Sequence, residues 1–295
     1  CQSVPLRPPV SVGPGDWTAE GGSCAHAHYT DQRIGTSLVE AWDYEPRGAF
    51  GPGSPLAAGH QLVVSTLAGE VHILDLETGD VSGRDEVGGA VEGVPVITED
   101  RLYVPLVDEN SGIIAFDLLE GGRVWRWREA PVATPLCLRD SLLYAADVRG
   151  RVTALAASDG SVRWQHEPDS AVAYLAGPVL AGDRLVTADD RGRVTAFDPI
   201  SGTVRWERDL DRPVTRTPAV RGDTVYVSTA EGMLVALDAA DGQVFWRYQG
   251  PGVALRLTAP SVDGRRVVVG ASDGRVRALD RRTGQPQPRL EDPPM

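Results

Sequence analysis

Ala236-Leu-Asp-Ala-Ala-Asp-Gly242-Gln-Val-Phe-Trp246 is the stretch that decides the fold. The same template, A-x-D-x-x-x-G-x-x-x-W, recurs at 196–206 and 115–125, and at 154–164 with Ala156 replacing the Asp. Degenerate copies run from Ile73 through Asp75 and Gly79 to Gly83, and from Ala278 through Asp280 and Gly284 to Pro288. Trp42 fills a seventh tryptophan slot with no motif ahead of it. The slots at 42, 83, 125, 164, 206, 246 and 288 are 41, 42, 39, 42, 40 and 42 residues apart. A period near 41 in β-rich, Gly-punctuated sequence suits a four-stranded propeller blade.

Alternation and turn chemistry place the strands inside each unit. In the fifth, Pro218-Ala-Val220 reads as the first strand and Thr224 to Ser228 as the second. Met233 to Leu237 reads as the third and Val244 to Trp246 as the fourth, with turns at 221–223, 231–232 and 241–242. Pro55, Pro95, Pro135, Pro178 and Pro260 begin the other units, where a missing N–H does least harm to a ladder. In the motif, the small Ala leaves room for neighbours and the Asp can accept backbone amides of the turn that follows. The Trp can lie flat between sheets with its N–H satisfied. Trp42, Trp125, Trp164, Trp206 and Trp246 are therefore read as scaffold rather than chemistry.

The bulk composition agrees. Gly (33) and Pro (22) make up about a fifth of the 295 residues, favouring turns over long helices. No apolar run approaches the roughly 18–20 residues that span a bilayer. The net charge of −12, with Arg as its basic side chain and no Lys, disfavours a binder that tracks nucleic-acid phosphates. The predicted architecture is all-β: a single propeller of four-stranded antiparallel blades, six by this count with seven as the alternative. The terminal unit runs out at Gln285-Pro-Gln-Pro288, and Leu38-Val-Glu-Ala-Trp42 is expected as the N-terminal strand that completes it and hides an edge. Residues 1–35 read as tether and pre-propeller segment, 36–290 as propeller and 291–295 as tail.

The motif resembles the tryptophan-docking repeat of PQQ-like, quinoprotein-type β-propellers, and Asp16-Trp17 with Gly21-Gly22 resembles the way many such chains begin. Among single-domain lipoproteins of that kind the chain is most similar to the outer-membrane β-barrel assembly lipoproteins of BamB type, which usually have eight blades. The resemblance implies a non-enzymatic scaffold for a membrane or envelope protein complex, a monomer within a hetero-complex. The alternative is a docking subunit of another envelope complex serving electron transfer, secretion or uptake. Quinoprotein enzymes carry vicinal cysteines and often CxxCH; here the cysteines stand at 1, 24 and 137, so PQQ is not expected as a cofactor and no catalytic residue is assigned.

Several residues carry candidate roles. Cys1 reads as a lipidation site anchoring the chain to the outer membrane, on the periplasmic side or on the cell-surface face, with the polar, Pro-rich segment after it as tether. Cys24 and Cys137 are either a disulfide of an oxidising compartment or two separate buried thiols. Cys24-Ala-His26-Ala-His28, if extended, puts three donors on one side and is a candidate metal site; the alternative is a coil with solvated histidines. Asp108-Glu109-Asn110 is an acidic hairpin tip that could take calcium, and Arg221-Gly222-Asp223 is a turn. Loops joining successive units, about 47–53, 88–93, 128–133, 167–176, 209–216 and 250–258, gather on one face. On them Arg216 and Leu255-Arg256-Leu257 pair Arg with apolar residues, an interface composition, and the Leu255-Arg256-Leu257 stretch weakly resembles the partner-binding loop of the BamB type.

Overall fold

The computed structural model describes residues 6, 11–13, 15–30, 37–108, 112–251 and 255–287. Apart from one 3-10 turn at Glu20–Gly22, its regular structure is strand. The strands form six antiparallel sheets over residues 56–86, 96–127, 137–166, 179–209, 219–249 and 261–280, the first five four-stranded and the last three-stranded. Each sheet is hydrogen-bonded in chain order, the meander of a propeller blade, and the protein is a β-propeller. Among the described residues 16–30 add no seventh sheet. The fifth sheet shows how closely local pattern sets the strands: Ala219–Arg221, Thr224–Ser228, Met233–Asp238 and Val244–Gln249. Each blade proline lies one or two residues ahead of its first strand, outside the ladder.

The chain divides into two compact units, Cys1–Cys24 with Thr30–Ala171, and Ala25–Tyr29 with Val172–Met295. In the first unit Leu56, Ile73, Val94 and Phe116 fill the space between the first two sheets, and Val96, Leu136, Leu143 and Leu155 the space between the second and third. In the second, Val179, Val186, Val220 and Val235 join the fourth sheet to the fifth, and Tyr226, Val262 and Leu279 the fifth to the sixth. Each such side chain contributes about 1.5–3 kcal/mol by leaving water.

The repeat motif acts as a docking device. Trp206 Nε1 donates to Ala239 O at 2.9 Å, Trp125 to Ala157 O at 2.9 Å, Trp246 to Arg281 O at 3.0 Å and Trp42 to Leu76 O at 3.1 Å. The acceptor is always the residue after the motif Asp position of the following sheet. The indole lies over the motif glycine: a Cβ on Gly242 would stand 2.6 Å from Trp206 Cε3, and Gly79, Gly160 and Gly284 meet Trp42, Trp125 and Trp246 in the same way. Asp198 Oδ1 accepts from the Ile200 and Ser201 amides at 3.0 and 2.9 Å, and Asp75, Asp117 and Asp280 staple their turns likewise. The motif Ala has a more specific role than general clearance. Ala236 pairs with Tyr226 on one side and Trp246 on the other, so the two rings meet over its methyl at 5.9 Å. Ala115 and Ala154 seat Tyr103–Trp125 and Tyr144–Trp164 in the same manner. The ladder shifts register just after each of these alanines, a bulge at one fixed place per blade.

Residues 17–29 of the pre-propeller segment make backbone contacts to the sheets. In the first unit Trp17 bridges Ala57, Thr18 O accepts from Ile97 N at 3.0 Å, and Cys24 is disulfide-bonded to Cys137 with Cα atoms 5.0 Å apart. In the second, Ala25 O accepts from Val220 N at 2.7 Å and Ala27 O from Val262 N at 2.8 Å. The segment thus satisfies backbone groups on the first strands of the sheets, which no fixed local pattern announces. Leu38–Trp42, by contrast, forms no strand: residues 37–47 carry no sheet pairing, and Leu38 and Val39 are exposed. The fourth position of the last sheet is instead begun by Pro286, which bridges Leu279, followed by Gln287 N donating to Ala278 O at 2.8 Å.

Candidate functional site

The loops entering the first and second sheets are knitted to the hairpin tip at 66–69. Phe50 bridges Thr66, Leu67 N donates to Ala49 O at 2.9 Å, Val87 N to Gly69 O at 2.8 Å and Val91 N to Thr66 O at 3.3 Å. Between them lies a groove of about 200 Å³ with Phe50, Val64 and Val91 as its apolar wall and Ser54 and Glu92 as polar groups. Glycines line the rest because the backbones approach too closely for a side chain. A Cβ on Gly51 would stand 2.7 Å from Val91 O, and one on Gly53 2.8 Å from Val94 Cγ2. Phe50 is 50 % exposed and Leu67 40 % exposed, so two large apolar groups face solvent at the mouth. Ser54 Oγ is buried with no hydrogen-bond partner among the described residues. An apolar groove with few polar groups and exposed aromatic and aliphatic side chains is a binding surface in its composition.

Beside it a polar chain fixes residues 42–47 to the first sheet. Tyr44 Oη and His72 Nδ1 are 2.6 Å apart, His72 Nε2 and Glu70 Oε2 3.1 Å apart, and Arg84 donates to Glu70 Oε1. With the imidazole neutral and its proton on Nε2, each link is satisfied: the Tyr44 hydroxyl donates to Nδ1 and Nε2–H donates to the carboxylate. Burial works to raise the Glu70 pKa, but Arg84 and then His72 outweigh it and hold the carboxyl below its ordinary range. Burial lowers His72, against the opposing pull of Glu70. Together with the Trp42 contact, this chain holds an extended segment that has no ladder to hold it. The four residues are scattered around a degenerate repeat copy, and no sequence spacing singles them out.

The predicted site residues fall as follows. Cys1 and Pro288 lie outside the described residues, as do Glu109 and Asn110 of the acidic tip. Cys24, His26 and His28 do not come together as a metal site. The Cys24 sulfur is bonded to Cys137, and His26 and His28 adopt φ of 48° and 50°, so the backbone is not extended and the period of two is lost. Among the described residues no group of three His, Cys, Asp or Glu side chains is placed to hold a metal ion. His26 is fully buried; burial, with His28 beside it, pushes its pKa down to about 3. Arg216 is exposed, on a loop whose neighbour Val214 N donates to Asp189 O at 3.1 Å. In Leu255-Arg256-Leu257 the leucines face inward, 6 % and 4 % exposed, and Leu257 bridges Ala271. Arg256 alone of the three is exposed, so the stretch is an anchored loop presenting one guanidinium, not an apolar patch.

Comparison with known proteins agrees with this architecture. The family profile described as "Outer membrane protein assembly factor BamB" matches residues 25–174 and 149–291. The assembly factor BamB of Alkalilimnicola ehrlichii is 32 % identical over 199 residues, covering 63 % of this chain and 51 % of the relative. That of Legionella pneumophila is 26 % identical over 198 residues, covering 63 % and 50 %. The chain therefore spans about half the length of these curated relatives. Among solved structures, BamB from Moraxella catarrhalis superposes with a TM-score of 0.69 at 24 % identity, over 79 % of this chain and 74 % of that one. The computationally designed Ika8 protein superposes at 0.59 with 18 % identity, over 79 % and 84 %. No described helix is long and apolar enough to cross a membrane.

Proposed function

The chain belongs to the family of the outer membrane protein assembly factor BamB, and from that membership we propose that it is a non-enzymatic docking module of an outer-membrane protein assembly complex. The observation that carries this reading is the family match, which runs through the sheets of both units. The groove at Phe50 supports it as the place where a partner sits. The wall of Phe50, Val64 and Val91 suits an aromatic or aliphatic side chain, and exposed Glu92 suits a basic neighbour of that side chain. Arg216 and Arg256 belong to the same proposal as single exposed guanidinium contacts on the corresponding loops of the second unit. Attachment to the outer membrane through an acylated Cys1 is part of it too, and is tested by incorporation of labelled palmitate in cells carrying Cys1 or Cys1→Ser.

Site-specific photo-crosslinking tests the groove. A photo-reactive residue at Phe50 or Leu67 is expected to trap a component of the barrel-assembly complex. The same probe at Leu119, exposed on the turn at the far end of the second sheet, is expected to trap none. Equal trapping from Leu119, or none from Phe50, would overturn the assignment of this surface.

A further inference from the structure

The turns of the sixth sheet form a second surface of opposite character. Gly264, Arg265, Arg266, Asp280, Arg282 and Gln287 line a polar cleft of about 510 Å³. Three guanidinium groups and one carboxylate face it, a local excess of positive charge on a chain of net charge −12. Among the described residues none of the three guanidinium groups makes a hydrogen bond or an ion pair within 4 Å, although Arg282 is near enough to Asp280 to help hold its carboxyl below the usual range. The two nearby acids are occupied with the backbone. Asp263 Oδ1 accepts from the Arg265 and Arg266 amides at 2.6 Å, and Asp280 Oδ1 from the Arg282 and Thr283 amides at 3.0 and 2.9 Å.

The repeat supplies an internal comparison. Arg101 of the second sheet stands opposite Asp117 in register, as Arg266 stands opposite Asp280. Arg101 Nη1 lies 2.6 Å from Asp117 Oδ2 and is neutralised there, whereas Arg266 turns to the cleft and makes no such pair. The motif residue after Asp280 is Arg281, which points elsewhere, toward Arg221 O. Arg265 and Arg282 then add two more forks from adjacent turns.

We propose that this cleft binds a phosphate ester group, the guanidinium forks of Arg265, Arg266 and Arg282 meeting its oxygens. Planar forks match phosphate geometry bidentately, and a dianion offers enough acceptors for three of them at once. Three guanidinium groups against the one Asp280 carboxylate leave a net charge of about +2 in the lining, which a dianion balances and a carboxylate ligand does not. The group can belong to an anionic lipid headgroup or to a free phosphate ester.

The test uses the full chain and three single variants, Arg265→Gln, Arg266→Gln and Arg282→Gln, beside a charge-matched control, Arg191→Gln, on a distant hairpin tip. Inorganic phosphate is titrated at constant ionic strength and read by the arginine Nε–H resonances. Saturable shifts in the wild type, weakened about tenfold or more by Arg266→Gln and unchanged by Arg191→Gln, are expected, since a charged hydrogen bond of about 1.5–3 kcal/mol is lost. Co-sedimentation with phosphatidylcholine vesicles, with and without phosphatidic acid, whose headgroup is a phosphomonoester, assigns the source. Binding to the anionic vesicles that phosphate competes away points to a headgroup, and response to phosphate alone points to a free ester. No saturable shift, equal weakening by Arg191→Gln, or equal response to acetate would overturn the proposal.

Discussion

Gly242 and Gly222 form a matched pair that tests the docking motif. Both lie in the fifth sheet's turns with left-handed backbones, φ +72° and +59°. A Cβ on Gly222 meets nothing within 4 Å, whereas one on Gly242 would stand 2.6 Å from Trp206 Cε3 and 2.9 Å from Cδ2. Gly222→Ala should therefore cost only the backbone penalty of about 1–2 kcal/mol. Gly242→Ala carries the same penalty and must also displace the indole. Overpacking adds about 1–3 kcal/mol, and a weakened Trp206–Ala239 hydrogen bond about 0.5–1.5 kcal/mol more. The expected total is about 2.5–6.5 kcal/mol, the sum of those three contributions. Urea unfolding reads the difference as a shift in midpoint at unchanged m. In a Trp206→Ala background the excess cost should vanish, leaving the two alanine variants alike. Equal destabilisation by both substitutions in the wild-type background would refute the docking argument.

Other consequences follow from the same geometry. Cys24→Ser with Cys137→Ser opens a link between residues 113 apart; thermal unfolding should show a loss of about 2–5 kcal/mol. His26 has its folded pKa lowered from 6.5 to about 3, so the unfolded chain binds the proton first and stability is lost as pH falls below 6.5 toward 3. Between pH 6 and 4.5, His26→Asn, whose side chain tolerates the left-handed backbone, should reduce that pH slope by up to about 1.4 kcal/mol per unit; an unchanged slope would contradict the burial assigned to His26. Leu255→Ala or Leu257→Ala should cost about 2–5 kcal/mol, while Arg256→Ala should stay within about 0.5 kcal/mol of wild type. Comparable effects at all three positions would show that the leucines do not face the core.

What was legible in the sequence is what repeats locally. Asp198 and the amides it staples lie within three residues, and Trp206 recurs at a fixed distance from its motif glycine, so spacing alone carries their roles. The Cys24–Cys137 bond left two readings open because nothing between residues 113 apart records their approach. His26 and His28 were read on a period of two that positive φ values cancel. Leu255 and Leu257 alternate with Arg256, a pattern that fits an anchored loop as well as an exposed patch, and burial decides between them. Leu38–Trp42 has strand-forming residues and a correctly placed Trp, yet Trp42 alone docks, Leu38 and Val39 stay exposed, and the backbone pairs with nothing among the described residues. The Phe50 groove and the Tyr44–His72–Glu70–Arg84 chain arise where segments far apart in sequence meet, and Arg266 stands out only against Arg101 of another blade.

Affinity isolation of the full chain from detergent-solubilised outer membranes tests the central claim most directly. The account predicts recovery of the β-barrel assembly protein with the wild-type chain and its loss with Phe50→Asp, while Leu119→Asp retains it. Recovery of unrelated envelope proteins alone, or recovery of the barrel-assembly protein undiminished by Phe50→Asp, would contradict the account.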